Sequence, residues 1–279
     1  MQLIQQPLDM QACAAAWQQA GLKIAFVPTM GNLHAGHLSL VEKAMTVADR
    51  VVVSIFVNPL QFNDSSDFDV YPRTLDTDLQ QLADYRVDVV FTPQEADLYP
   101  RGREGLTWVE VPILSTMLEG ASRPGHFRGV TTVVAKLFHL IQPQVAVFGE
   151  KDYQQLLVVR QMVADLNFPI EIIGLPTRRE ADGLAMSSRN SQLTATERQK
   201  ASALYRGLQA LRESVCAGAT NFDQLESQAR AEVASAGMTV EYLCIRSARN
   251  LAPPCSGDDL VIVAAVRLGQ VRLIDNLRV

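Results

Sequence analysis

Two of the chain's four histidines lie three residues apart in the segment Pro28-Thr29-Met30-Gly31-Asn32-Leu33-His34-Ala35-Gly36-His37. The apolar run 23–27 precedes this segment and an amphipathic stretch follows it, a pattern that predicts a strand, a tight turn and a helix start. Unpaired backbone N–H groups and the positive end of a helix dipole meet at such a turn and attract anions. Both imidazoles can donate to phosphate oxygens, and Gly31 lets a ligand approach the backbone closely. The segment therefore predicts a nucleotide-phosphate site, with two ordinary loop histidines as the alternative.

Two amide side chains, Asn58 and Gln61, follow the predicted strand 51–57. Ligands of open α/β sheets bind beyond the carboxyl ends of the strands. An amide at that edge can bind a hydroxyl or a carboxylate without adding charge to an anionic site. Asn58 precedes a proline, so turn formation explains it equally well. Gln61 is harder to explain in that way and favours a ligand contact.

The segment Gly149-Glu150-Lys151-Asp152 repeats the order of strand, turn and helix after the predicted strand 144–148. Lys151 can bind a phosphate, and Asp152 can cap the following helix or accept from a ribose hydroxyl. Gln155 lies one turn into that helix and is expected to face the same crevice. A solvated surface pair is the alternative for Lys151 and Asp152.

Two further loops combine small and basic residues. Met186-Ser187-Ser188-Arg189-Asn190 supplies two hydroxyls and a guanidinium that can close over a polyphosphate. A phosphate-binding strand edge and a movable basic loop are what phosphoryl or nucleotidyl transfer requires. The segment Gly125-His126-Phe127-Arg128-Gly129, which follows Arg123, is expected to form a wall on the substrate side.

Composition and charge narrow the class of protein. The chain has 279 residues, 48% of them hydrophobic and 20% charged, without repeats or low-complexity tracts, which indicates a globular enzyme with a large core. The net charge of −5 argues against a nucleic-acid partner and favours a small substrate. Four scattered cysteines without a C-x-x-C pattern indicate reduced thiols and a cytoplasmic location. We expect neither secretion nor a membrane span, because the longest apolar runs have only the length of a strand.

The elements that must position these residues can be placed from hydrophobic periodicity. Strand-like runs alternate with helical patterns in the first part of the chain, at 24–27, 51–57, 87–91, 144–148 and 170–175. This alternation predicts the α/β class, with a doubly wound, Rossmann-like parallel sheet covered by helices on both faces. Apolar residues at helical spacing from Val130 to Ile141 predict a helix that ends before Pro143.

A second, smaller α+β domain is predicted after a polar segment at 176–190, which is a candidate hinge. Two helical patterns (196–216 and 221–236) and three strand-like runs (240–245, 260–266 and 271–274) follow, with a hairpin turn at 267–270. The predicted domains are therefore a nucleotide- and substrate-binding domain at 1–175 and a C-terminal lid domain at 176–279.

Six motifs between residues 28 and 190 now add up to a family: PTMGNLHAGH, VSIFVNPLQF, YPRTL, RPGHFRGV, FGEKDYQQ and DGLAMSSRN. Together they strongly resemble the pantoate-beta-alanine ligase family, although H-x-G-H alone occurs across nucleotidyltransferase-like folds. The resemblance implies an AMP-forming ligase that condenses pantoate with beta-alanine to pantothenate. ATP would first convert pantoate into an enzyme-bound pantoyl adenylate with release of pyrophosphate, and the amine of beta-alanine would then displace AMP.

The resemblance also implies roles for individual residues. The ATP contacts it implies are Met30, Gly31, His34, His37, Gly149, Lys151, Asp152, Arg178, Met186, Ser187, Ser188 and Arg189. Among these, His34, His37 and Lys151 are the expected catalytic residues, with His37 as proton donor. Gln61 and Gln155 are expected to bind pantoate, with Gln61 and Asn58 also near beta-alanine. A homodimer is implied as well.

Mg²⁺ is expected because it bridges phosphate oxygens and neutralises their charge. Asp78 is a candidate supporting carboxylate for it, and a solvated helix face is an equal alternative for this residue. Position 178, often a small aliphatic residue in the family, is Arg here, so its backbone contact with adenine requires the side chain to point away. A cytidylyl- or adenylyltransferase, a class I aminoacyl-tRNA synthetase and a non-catalytic nucleotide sensor are the competing classes. Gln61 with Gln155 argues against the first, and the absence of a basic RNA-binding surface argues against the second.

Overall fold

A computed structural model describes residues 1–63 and 65–279, without the side chains of residues 65 and 66. Their contacts divide the chain into two compact units. Unit 1 consists of Met1–Glu150 and Val158–Pro176, and unit 2 of Lys151–Leu157 and Thr177–Val279. The division into domains at residues 175 and 176 stays a prediction.

Unit 1 contains a six-stranded sheet whose strands all pair in parallel. The strands are β1 (Gln2–Ile4), β2 (Ile24–Thr29), β3 (Arg50–Ile55), β4 (Val89–Phe91), β5 (Val145–Gly149) and β6 (Glu171–Leu175). Five of them are the predicted strands, and the predicted α/β class with a doubly wound sheet is confirmed. β1 is missing from the prediction, because three residues are too short for a periodic pattern.

The strand order β1-β4-β3-β2-β5-β6 determines where a ligand can bind. β2 pairs with β3 on one side and with β5 on the other, so the chain direction across the sheet reverses between β2 and β5. Ligands of open parallel sheets bind beyond the carboxyl ends of the strands at such a reversal. The H-x-G-H turn follows β2 and Gly149 ends β5, so both lie at this edge of the sheet.

The helices of unit 1 cover this sheet. They are α1 (Pro7–Gln19), α2 (Ala35–Val47), α3 (Ser65–Asp69), α4 (Leu75–Ala83), α5 (Glu95–Leu98), α6 (Glu119–Ser122), α7 (His126–Ile141) and the second part of α8 (Tyr153–Asp165). One core packs α2 against the sheet through Leu40, Val41 and Ala44, all at most 8% exposed. α7 is the predicted helix and ends at Ile141, before Pro143 as predicted.

Unit 2 contains an antiparallel sheet of β7 (Thr239–Ser247), β8 (Leu260–Leu268) and β9 (Val271–Arg278). Its other helices are α9 (Ala195–Ala201), α10 (Ala203–Cys216) and α11 (Phe222–Ser235). The prediction of a single helix at 196–216 is wrong, since two helices meet at Ser202. The hydroxyl of Ser202 there accepts from the guanidinium of Arg206 at 2.8 Å. None of the helices in the described residues is long and apolar enough to cross a membrane.

Candidate active site

The turn after β2 adopts an uncommon backbone conformation. Gly31 and Asn32 both have positive φ, +82° and +50°. A Cβ atom on Gly31 would lie 3.1 Å from both Asp78 Oδ2 and Ile55 Cγ2, so glycine also satisfies a close approach. The turn is joined to β3 because the hydroxyl of Thr29 donates to the carbonyl oxygen of Ser54 at 2.7 Å. The positive φ values, the close approach at Gly31 and the hydrogen bond to Ser54 together define the conformation of this turn.

Asp78 on α4 holds the same turn. Its two carboxylate oxygens accept from the backbone N–H of Asn32 at 3.0 Å and of Leu33 at 2.8 Å, and Thr74 Oγ1 donates to Oδ2 at 3.2 Å. The solvated alternative for Asp78 is wrong, since this residue is only 1% exposed.

Asp78 also does not fit the expected role of a supporting ligand for Mg²⁺. Both of its oxygens already accept from donors of the protein, and the residue is only 1% exposed, so neither oxygen is open to an ion carried by ATP phosphates. The described residues contain no group of three or more His, Cys, Asp or Glu side chains that could hold a metal ion. The structure instead makes Asp78 a residue that shapes the turn.

His34 and His37 form a capping box at the start of α2. His34 is the N-cap, and its Nδ1 accepts from the backbone N–H of Gly36 at 3.1 Å. His37 Nδ1 accepts in turn from the backbone N–H of His34 at 3.4 Å, and the two ring centroids are 4.1 Å apart. An Nδ1 that accepts a hydrogen bond places the proton of a neutral imidazole on Nε2. In its neutral form each ring therefore carries its proton on Nε2.

This arrangement corrects one part of the reasoning from sequence. The pattern of strand, turn and helix predicts unpaired backbone N–H groups for an anion. In the structure these groups donate to side chains of the protein itself, at Gly31, Asn32, Leu33, His34 and Gly36. These five groups are therefore already engaged before a ligand binds.

Asn58 and Gln61 come together at the carboxyl end of β3. Asn58 caps the 3-10 turn Pro59–Gln61, and its Nδ2 donates to Gln61 Oε1 at 3.0 Å. Both residues are buried, with exposed fractions of 1% and 9%. α7 contacts this turn at Gly129, where a Cβ atom would lie 2.2 Å from the carbonyl oxygen of Leu60. These contacts account for Asn58 as a turn residue, and its contact with a ligand stays a prediction.

The glycine-rich segment before and within α7 holds the backbone of Gln61. The carbonyl oxygen of Gln61 accepts from His126 Nδ1 at 2.8 Å and from Arg123 Nη2 at 3.1 Å. The expectation of a substrate-side wall for this segment stays a prediction, but its contact with a candidate substrate residue is direct.

In unit 2, Lys151 is held by the C-terminal strand. Its carbonyl oxygen accepts from Asn276 Nδ2 of β9 at 2.8 Å. Lys151 and Ser187 also line one small cavity, together with Asp275. Asp152 is exposed, and Gln155 in the first turn of α8 is partly buried. Sequence reasoning missed Asn276, because nothing in its neighbourhood resembles a motif.

The loop 182–190 is shaped by pairing with the residues before it. Arg178 is exposed, and its carbonyl oxygen accepts from the backbone N–H of Met186 at 3.0 Å. The backbone contact of Arg178 with adenine stays a prediction. Ser187 caps the 3-10 turn Ser188–Gln192 by accepting from the backbone N–H of Arg189 at 3.3 Å. Ser188 and Arg189 are both partly buried.

A buried ion pair anchors this loop to β9. The guanidinium of Arg179 donates to both oxygens of Asp275 at 2.7 and 2.9 Å and stacks on the ring of Tyr205 at 4.0 Å. Arg179 also donates to the carbonyl oxygen of Gly183 at 3.0 Å. A bidentate pair of this kind restricts both partners, so the loop has a fixed anchor next to Ser187.

Comparison with known proteins decides the family. The family model described as Pantoate-beta-alanine ligase matches residues 2–278. The chain belongs to the pantoate-beta-alanine ligase family. A curated relative named pantothenate synthetase, from Nitrosococcus oceani, is 53% identical, and the match covers 100% of this chain and 98% of the relative. Another, from Shewanella halifaxensis, is 54% identical, and the match covers 96% of this chain and 95% of the relative.

Solved structures of the family have the same fold. Pantothenate synthetase from Thermus thermophilus matches with a TM-score of 0.90 and 44% identity, and the match covers 99% of each chain. Pantoate-beta-alanine ligase from Francisella tularensis, solved in complex with beta-gamma ATP and beta-alanine, matches with a TM-score of 0.82 and 37% identity. That match covers 100% of this chain and 97% of the Francisella chain. The resemblance seen in the motifs therefore extends over the whole length of the chain.

Proposed function

We propose that this protein condenses pantoate with beta-alanine to pantothenate at the expense of ATP. In the first step, a carboxylate oxygen of pantoate attacks the α-phosphorus of ATP, the bond to the β-phosphate oxygen breaks, and pyrophosphate leaves. In the second step, the amine of beta-alanine attacks the acyl carbon of pantoyl adenylate, AMP leaves, and the amine loses a proton. The family membership over residues 2–278 supports this reaction.

The observation that carries the proposal is the pair of imidazoles at the start of α2. In the neutral form both carry an Nε2–H at the edge where open parallel sheets bind their ligands, and their ring centroids are 4.1 Å apart. Negative charge grows on the phosphates as the adenylate forms, and preorganised donors stabilise it most in the transition state. His37 is the proposed proton donor to the departing pyrophosphate.

The remaining ATP contacts are proposed by position. In unit 1 they are Met30, Gly31 and Gly149, which lie beyond the ends of β2 and β5. In unit 2 we propose Lys151, Ser187, Ser188 and Arg189 for the phosphates, Asp152 for the ribose, and Arg178 with Met186 through their backbone. The contact of Asn276 with the carbonyl oxygen of Lys151 supports this role, because it fixes the backbone from which the ammonium group extends.

For the acid substrate we propose Gln61 and Gln155, with Gln61 and Asn58 also close to beta-alanine. Uncharged amides suit this role because the ATP phosphates already make the site anionic. We further propose a homodimer and a cytoplasmic location. Mg²⁺ is proposed only as an ion carried by the ATP phosphates, and neither step of the proposed reaction requires a protein ligand for it.

The test is exchange of labelled pyrophosphate into ATP with purified protein, Mg²⁺ and pantoate, without beta-alanine. Pantoate-dependent exchange demonstrates a reversible adenylate half-reaction. Exchange that depends on a different carboxylate instead, in a protein that forms no pantothenate, would overturn the proposed substrate. His37→Ala should lower the exchange rate about 100- to 1000-fold, as the loss of one preorganised donor typically does.

Two control variants separate the chemistry of His37 from its structural role. His37→Gln keeps an acceptor for the capping box and should restore the stability of α2 without restoring the rate. His139→Ala removes an exposed imidazole from α7 and should leave exchange unchanged. A wild-type rate for His37→Gln would show that hydrogen bonding suffices and that His37 transfers no proton.

A further inference from the structure

A chain of buried hydrogen bonds links Tyr99, Asn58 and Gln61. We infer that Tyr99 is a positioning residue that acts through Asn58 to orient the amide of Gln61, so that Gln61 presents N–H donors to the acid substrate. This inference rests on the proposed function, because it specifies which hydrogen-bonding groups Gln61 offers to pantoate. Tyr99 lies 38 positions from Gln61 in the sequence and belongs to none of the six motifs.

The orientation of the Asn58 amide follows from backbone groups alone. The Oδ1 atom lies 3.3 Å from the backbone nitrogen of Leu60, which can only donate. The Nδ2 atom lies 3.2 Å from the carbonyl oxygen of Gly129, which can only accept. Exchanging oxygen and nitrogen of this amide would break both contacts. Asn58 therefore has one defined amide orientation.

The orientation of the Gln61 amide follows from that of Asn58. Asn58 Nδ2 is a donor, so the atom of Gln61 that lies 3.0 Å away must be its acceptor, Oε1. The remaining polar atom, Nε2, carries two N–H donors for a ligand. The backbone of Gln61 is fixed as well, through the contacts of its carbonyl oxygen with Arg123 and His126.

Tyr99 completes the chain by donating to Asn58 Oδ1 at 2.8 Å. Tyr99 is 2% exposed and packs against the ring of Phe56, with ring centroids 6.2 Å apart. Burial raises the pKa of the Tyr99 hydroxyl, so this group keeps its proton and acts as a donor. The phenol thus anchors the amide chain at the end remote from Gln61.

This polarity selects among the groups of the two organic substrates. Paired N–H donors bind a carboxylate or hydroxyl oxygen and repel an ammonium group. Gln61 should therefore contact oxygens of pantoate, or the carboxylate of beta-alanine, and never the amine of beta-alanine. The amine stays available for attack on the adenylate.

A double-mutant cycle tests the inference, with Tyr99→Phe and Gln61→Ala made singly and together. Tyr99→Phe removes one hydroxyl and should raise the KM for pantoate about five- to tenfold, while the KM for ATP stays unchanged. In the Gln61→Ala background, the same replacement should have no further effect on the pantoate KM, because it acts through the side chain that is missing. Tyr85→Phe is the matched control, since it removes another tyrosine hydroxyl from unit 1, one that is bonded to Glu42.

Equal effects of Tyr99→Phe in both backgrounds would overturn the inference, because a purely structural role does not depend on Gln61. Asn58→Asp provides a second test if Tyr99→Phe folds poorly. It retains an acceptor for Tyr99 but loses the donor to Gln61, so the pantoate KM should rise while the KM for ATP does not. A pantoate KM equal to that of the wild type would contradict the inference. Wild-type protein that forms no pantothenate refutes the proposed function instead, so the two failures are distinguishable.

Discussion

Replacement of Asp78 by asparagine should loosen the turn that carries the two histidines. The carboxylate accepts from two consecutive backbone N–H groups, at Asn32 and Leu33, and is 1% exposed. A carboxamide has the same shape but only one acceptor oxygen. It can keep one of the two bonds, and its NH₂ group then faces the other backbone donor.

The magnitude follows from the number of bonds that are lost. A hydrogen bond to a charged acceptor contributes about 1.5–3 kcal/mol, and a buried donor without an acceptor costs a similar amount. Asp78→Asn loses one such bond and should lower the free energy of unfolding by about 1.5–3 kcal/mol. Asp78→Ala loses both and should lower it by about 3–6 kcal/mol.

Urea unfolding followed by circular dichroism measures the stability, and steady-state kinetics measures the use of ATP. A small displacement of aligned catalytic groups costs up to about a hundredfold in rate, so kcat/KM for ATP should fall about ten- to a hundredfold in Asp78→Asn. Asp76→Asn is the matched control, since Asp76 is exposed in the same turn of α4.

Two results would refute the reasoning. If Asp78→Asn unfolds at the same urea concentration as Asp76→Asn, the carboxylate does not hold the turn. If the stability falls as expected but the ATP kinetics match the control, the turn is held by Asp78 but does not bind ATP.

Two further predictions concern packing and acid stability. Gly129→Ala places a Cβ atom 2.2 Å from the carbonyl oxygen of Leu60, so α7 must move away from the turn. The free energy of unfolding should fall by about 1–3 kcal/mol, and the KM for pantoate should rise. Wild-type values of both quantities would contradict this prediction. A hydrogen bond from Arg198 lowers the pKa of the Asp182 carboxyl in the folded protein. The pair therefore stabilises the fold at pH values above the unfolded-state pKa of about 3.9, and this contribution is lost as the pH falls through the folded-state pKa. Because the Asp182 side chain is 39% exposed, solvent screening limits the effect to less than about 1 kcal/mol, and the stability difference between wild type and Asp182→Asn should shrink from about pH 7 to pH 3 in urea unfolding. A difference that stays constant over that range would contradict the assignment.

The sheet of unit 1 could be predicted because its central strands are fully buried. Continuous apolar runs such as that of β2, where four consecutive residues are buried, are typical of a parallel sheet covered on both faces. β1 could not be predicted, since a three-residue strand exists only through its pairing with β4. The boundary at Ser202 escaped prediction for a similar reason, because its residues keep the helical pattern and even a helical φ of −65°.

For the candidate site, the sequence predicts residues that can contact a ligand but not the residues that hold them. Residue types and positions at strand ends predict the groups that can meet a ligand, as with Gln61 after β3 and Lys151 after β5. The groups that orient them come from distant parts of the chain. Tyr99 reaches Asn58, the partner of Gln61, and Asn276 reaches Lys151 only after folding, so no local pattern predicts either contact.

The H-x-G-H turn shows how side chains that fix a loop bear on its proposed function. The N–H groups of Asn32 and Leu33 are already bound to the carboxylate of Asp78, and the first turn of α2 is capped by its own imidazoles. A glycine-rich phosphate loop leaves such backbone donors to the ligand. Here the protein uses them to fix the turn that carries two histidines, and the proposed function assigns phosphate binding to their Nε2–H groups. A backbone N–H group cannot transfer a proton, whereas an imidazole can. The arrangement therefore suits the proposed reaction, in which the departing pyrophosphate can take up a proton.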